Sequence, residues 1–125
     1  MLPLRYPKLW LALGWLLVVG VAVGSLVPGD MLEAITLSDK LMHAGSYFLL
    51  MVWFGGLYPK RLHPLVGAVL LALGIALDLL QGLTETRSLD LRDMLADLGG
   101  IVAGLALSMT WLEGWCQWLE RRLLT

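Results

Sequence analysis

Four side chains open the case for chemistry: Asp39, Lys40, His43 and Tyr47. Asp39, His43 and Tyr47 are spaced by four, so on a helix they share one face. They stand at the mouth of a long apolar run. Ionisable groups inside such a run are costly, at roughly 2.5 to 3.5 kcal/mol each on insertion scales, and usually serve function. Two later stretches carry matching groups. Asp78 and Gln81 are three apart, and Asp90, Asp93 and Asp97 again fall on one helical face, with Arg87 and Arg92 beside them. A histidine among carboxylates can act as general acid or base. Asp, Asp, Asp and His can also ligate a divalent ion through oxygen and nitrogen, although no spacing here is a strong metal motif. Arg87 and Arg92 suit an anionic headgroup such as phosphate.

The elements that position these groups are apolar helices. The chain has 125 residues, 58% of them hydrophobic and 15% charged, where a soluble domain carries nearer a quarter charged. The excess falls in blocks of membrane length. Four spans are expected, at about 9–27, 39–58, 65–83 and 90–111, in one domain covering 1–125. The first is read as a retained helix and not a cleaved leader, because its apolar length exceeds a signal core. Short loops at 28–38 and 84–89 join the spans at one side, and a basic turn from Pro59 to Pro64 joins them at the other. His63 in that turn is expected to be solvated. Gly20 with Gly24, and Gly100 with Gly104, are small-xxx-small pairs that permit close helix approach.

The tail, 112–125, reads as an interfacial amphipathic helix. Trp111, Trp115 and Trp118 recur at helical spacing as anchors, with Glu113, Glu120, Arg121 and Arg122 on the polar side. The fold class is therefore all-α, a bundle of four transmembrane helices with a C-terminal interfacial helix.

Net charge of −1 offers no polyanion-binding surface, so nucleic acid is not an expected partner. The lone Cys116 excludes an internal disulfide and a cysteine metal cluster. Arg5, Lys8, Lys60, Arg61, Arg121 and Arg122 fall on one side of the bundle, against Lys40, Arg87 and Arg92 on the other. The richer side should face the cytoplasm, with both termini.

Depth unites the polar groups. At about 1.5 Å per residue, His43 lies about 6 Å inside its span, Asp97 about 10 Å inside its own, and Asp78 within about 10 Å of the end of the third. All three fall in the outer half of the membrane, as one cavity open to the outer face would require. His43, Asp39 and Asp93 are the candidate acid–base residues. Lys40, Tyr47, Asp78, Gln81, Arg87, Asp90 and Asp97 are candidate ligand-binding residues. Asp39 and Asp90 can alternatively serve as helix N-caps, and the whole set as a structural network fixing helix register.

Asp39-Lys40-x-x-His43 with Tyr47, then Asp78-x-x-Gln81, then Arg87-x-x-Asp90-x-x-Asp93 and Gly100 resembles the VanZ-like family over roughly residues 9 to 110. Those are small bacterial membrane proteins named for a member that lowers susceptibility to the glycopeptide teicoplanin. The resemblance implies a multi-pass protein of the bacterial inner membrane and a cell-envelope role. It departs at two positions: the family usually carries Glu at 78 and Asn at 97. The first change keeps the charge and shortens the reach, and the second adds an acid to an acidic cluster. The expected ligand is a membrane lipid or a lipid-linked envelope molecule. A metal-dependent hydrolase and a non-catalytic scaffold stay open beside it, as do a homo-oligomer and a partner membrane protein.

Overall fold

The computed structural model describes the backbone of residues 2–26, 39–83 and 91–123, and the side chains of 2–24, 41–80 and 94–123. The expected loops at 28–38 and 84–89 lie outside the described residues. Every regular element described is helical: α1 (Pro7–Leu26), α2 (Asp39–Gly55), a 3-10 turn (Lys60–Leu62), α3 (His63–Leu83), α4 (Leu91–Met109) and α5 (Trp115–Leu123). The chain is all-α, as its apolar blocks require. Helix is the element that satisfies its own backbone groups within a segment.

The boundaries follow local chemistry. Pro7 opens α1, where its missing N–H and fixed φ suit a first helical position. Helix α2 ends at Gly55, three residues short of the expected span, because Gly56 and Leu57 turn back with bonds to Val52, Trp53 and Phe54 carbonyls. Helix α3 starts two residues early, led in by the 3-10 turn. The tail turns at Gly114, whose φ of 65° suits glycine, before α5 begins.

Among the described residues, two helical stretches are long and apolar enough to cross a membrane: Pro7–Gly24 and Lys60–Leu80. The described side chains of α2 and α4 form apolar stretches at Leu41–Gly55 and Met94–Met109. Helices α2 and α4 form the most extensive helix pair, and both carry the charged groups at one end. Helices α1 and α3 leave large apolar side chains outward, among them Leu16, Val19 and Val23 on the first and Leu65 and Val69 on the second.

A small-residue seam lets α2 and α4 meet. A Cβ at Gly100 would run into the Ala44 carbonyl oxygen. One turn on, a Cβ at Gly104 would lie 3.0 Å from the Phe48 carbonyl oxygen and 2.8 Å from Met51 Cβ. At the far end the small residue is on α2: a Cβ at Gly55 would lie 2.7 Å from Ser108 Oγ. The expected pair Gly100–Gly104 is thus a contact surface, whereas Gly20 and Gly24 on α1 have nothing within 4 Å among the described residues.

The other end of the bundle gathers both termini. Leu2 N–H donates to the Leu57 carbonyl at 2.7 Å, and Gln117 Nε2 donates to the Pro3 carbonyl at 2.8 Å. Trp10, Trp53 and Trp115 pack there with ring centroids 5.3 to 5.6 Å apart. Each indole N–H has an acceptor: Glu120 Oε2 at 2.8 Å, the Trp10 carbonyl at 3.1 Å and the Val52 carbonyl at 2.8 Å, respectively. Buried indoles need such partners.

Three expectations are corrected at this end. His63 is not solvated: it is 1% exposed, and Nε2–H donates to the carbonyls of Gly55 (2.7 Å) and Tyr58 (3.1 Å). The end of α2 leaves unpaired carbonyls and the imidazole covers them. The tail tryptophans are not a uniform belt. Trp111 and Trp118 are exposed, but Trp115 turns inward because its N–H reaches α2. Glu120, expected on the polar face, is buried against the start of α1.

Candidate functional site

At the opposite end, three helices each deliver a buried polar side chain. His43 comes from the second turn of α2, Asp78 from near the end of α3 and Asp97 from the second turn of α4. Their exposures are 7%, 2% and 1%. His43 Nδ1 and Asp97 Oδ1 are 2.8 Å apart. With Asp97 as a carboxylate, which only accepts, Nδ1 carries the proton in that contact. A carboxylate holding a histidine in one tautomer and orientation is the arrangement that prepares imidazole for proton transfer.

Tyr47, one turn beyond His43 on α2, is buried at 1% exposure. Its ring and the Asp97 carboxylate meet across Gly74 of α3. A Cβ there would lie 2.9 Å from Asp97 Oδ2 and 3.3 Å from Tyr47 Cζ. Any side chain at position 74 would press into the site. Among the described residues Asp97 Oδ2 has no hydrogen-bond partner, and a buried carboxylate oxygen without one is a costly feature to retain.

One potential ligand atom from each of His43, Asp78 and Asp97 lies within 4.8 Å of the others. Two ligands of one ion stand at most twice the bond length apart. Separations within that bound are of the order found between ligands of one divalent ion, at about 2.0 to 2.6 Å per bond. The donor set of one imidazole and two carboxylates fits a hard or borderline divalent cation.

The spacing argument therefore brings His43, Tyr47, Asp78 and Asp97 together. Asp39 and Lys40 sit in the first turn of α2, Gln81 in the last turn of α3 and Asp93 in the first turn of α4, with side chains outside the described residues. Arg87 and Asp90 lie outside the described residues altogether. Gly74 was not singled out by sequence, since nothing in one chain distinguishes a glycine that clears a site from one that lubricates a helix.

Arg5, Lys8, Lys60, Arg61, Arg121 and Arg122 belong to the end that holds Leu2 and Gln117, whereas Lys40 in the first turn of α2 and Arg92 in the first turn of α4 stand at the end of the His43–Asp97 pair. Compared with family models, curated proteins and solved structures, the chain finds no match.

Proposed function

We propose that this chain is a VanZ-like, multi-pass membrane protein whose buried His43–Asp97–Asp78 centre binds, and acts by proton transfer on, an anionic membrane-borne envelope ligand. The observation that carries the reading is the convergence of three ionisable side chains from three helices at one end of an apolar bundle. Polar groups kept at that depth are expensive unless they serve a ligand or one another.

In this reading all four long helices span the membrane, with the shorter apolar stretches of α2 and α4 shielded by α1 and α3. Both termini and the basic turn face the cytoplasm, following the accumulation of Lys and Arg at that end. The polar centre then opens to the outer face of the inner membrane, where lipid-linked cell-wall precursors and phospholipid headgroups present phosphate. His43 Nε2 is the acid–base atom, Asp97 orients the ring, Asp78 and Tyr47 line the pocket, and Arg87 and Lys40 hold the anion. Altered teicoplanin susceptibility is the phenotype the resemblance implies.

A second reading is a metal-dependent membrane hydrolase. The clustering of ligand atoms within 4.8 Å favours it. A divalent ion held by His43, Asp78 and Asp97 would polarise a phosphoryl oxygen or activate water.

The test is headgroup binding by detergent-purified protein, wild type beside His43→Ala and Asp97→Asn, with metal analysis on the same samples. Binding lost with folding kept supports the acid–base site, and a stoichiometric ion lost in Asp78→Ala supports the hydrolase. If His43→Ala lowers stability while headgroup binding and metal content match wild type, the centre is structural and the chain acts as a scaffold or partner subunit.

A further inference from the structure

A second feature begins at the basic end and runs along α3 as far as Leu73, on a different set of side chains from the polar centre. Helix α1, the end of α2 and the first half of α3 enclose a half-open cavity of about 390 Å³. Its wall is almost entirely apolar: Trp15 and Val18 from α1, Phe54 from α2, Leu62 from the 3-10 turn, and Val66 and Leu73 from α3. Among the described residues, α1 and α3 carry the stretches of membrane-crossing length. From Leu62 to Leu73 the chain rises about 16 Å, close to the depth of one leaflet, about half of a 30 Å hydrocarbon core.

One end of the cavity carries charge. Tyr58 and Leu62 both line it, and between them the 3-10 turn presents Lys60 and Arg61, both exposed. The site thus pairs an apolar slot one leaflet deep with two cations at its membrane-surface end. A hydrocarbon tail satisfies the slot, and a phosphate satisfies the turn.

We propose that this cavity seats one acyl chain of an anionic phospholipid from the leaflet at the basic end, with the headgroup phosphate against Lys60 and Arg61. The inference rests on the membrane reading above and is independent of any ligand at His43. Two basic side chains near a membrane surface, at about fivefold each, predict about a 25-fold preference for an anionic over a zwitterionic headgroup on the same acyl chains.

The experiment uses the full chain in mild detergent, titrated with phosphatidylglycerol or phosphatidylcholine of matched chains, with bound lipid counted by native mass spectrometry. One phosphatidylglycerol should persist per chain, preferred about 25-fold over phosphatidylcholine. Lys60→Gln with Arg61→Gln should erase the headgroup preference. Val66→Trp, which fills the slot, should release both lipids; Val69→Trp at the rim provides the same block should the first variant not fold. Equal retention of the two lipids by wild type, or unchanged retention in a filled variant that folds, overturns the proposal. A dimer that closes the slot in place of lipid overturns it as well. Chain that stays monodisperse without detergent overturns the membrane reading itself, whereas detergent-dependent chain without the preference overturns this inference alone. His43→Ala should keep the lipid.

Discussion

Glu120 of α5 accepts the Trp10 indole N–H of α1 at 2.8 Å, and the same carboxylate accepts the backbone N–H of Arg5 at 2.8 Å and of Tyr6 at 3.0 Å. A helix start leaves N–H groups without intrahelical partners, and α1 has no acid in its own first turn. Glu120 supplies that cap from the far end of the chain, with the charge sign that the helix dipole favours. Glu120→Ala should therefore lower the thermal unfolding midpoint in detergent more than Glu113→Ala, made on the neighbouring turn. Equal effects from the two would show that the cap carries no stability.

The same contact gives stability an acid dependence. Burial alone disfavours the Glu120 charge, but the Arg5 N–H, Trp10 indole and Tyr6 N–H bonds and the Arg5 charge outweigh it and hold the carboxyl below its usual range. A carboxyl lowered on folding adds stability that is complete above its unfolded value, about 4.3, and is lost as pH falls through the lower folded value. Unfolding midpoints measured from pH 7 down to pH 3 should fall for wild type. The gap to Glu120→Gln should narrow over the acid limb. A gap that stays constant removes the carboxylate from the account.

Close packing of α2 on α4 predicts an order of cost. Gly100→Ala places a methyl into the Ala44 carbonyl, which is backbone and cannot swing away. Gly74→Ala meets Asp97 and Tyr47, whose side chains have some freedom. Overpacking typically costs about 1 to 3 kcal/mol, with Gly100→Ala at the upper end and Gly74→Ala at the lower. Gly74→Ala should nonetheless impair headgroup or metal binding, because it shifts the site. Denaturation midpoints beside binding curves decide the order.

At the polar centre, Asp97→Asn retains an oxygen to accept the His43 Nδ1–H, whereas Asp97→Leu does not. Leaving a buried imidazole N–H without its acceptor costs about 1 to 3 kcal/mol. Asp97→Leu should approach that loss and Asp97→Asn should fall well short of it, by thermal unfolding in the same detergent. Similar losses would mean that the 2.8 Å contact does not hold the helices in register.

His63→Ala should cost about 1 to 3 kcal/mol, the penalty for stripping a partner from buried carbonyls. His63→Gln, which can still donate, should recover part of it.

The helices and the polar centre were legible in the chain for different reasons. His43, Asp78 and Asp97 each interrupt an apolar run at similar depth, a pattern that one sequence displays because the helical rise is constant. The glycines at 100 and 104 showed a face but not its partner, and the structure assigns Ala44 and Phe48 to it. Glu120 and His63 were misplaced because their surroundings in sequence are polar or turn-like. Glu120's donors lie more than a hundred positions away, and His63's acceptors are carbonyls, which have no side-chain signature. The length of α2 was overestimated because apolar composition extends past Gly55, where the helix ends.

The clasp at Glu120 has a consequence for how the molecule is made. Residues 5, 6 and 10 are made more than a hundred positions before residue 120, so α1 waits for the synthesis of all that lies between before it meets the carboxylate that caps it. Until then its start is held only by the helix itself and by whatever the growing chain has so far placed beside it. Formation of α5 is thus the event that locks α1, and a chain cut short before Glu120 retains the polar centre's residues while leaving α1 uncapped.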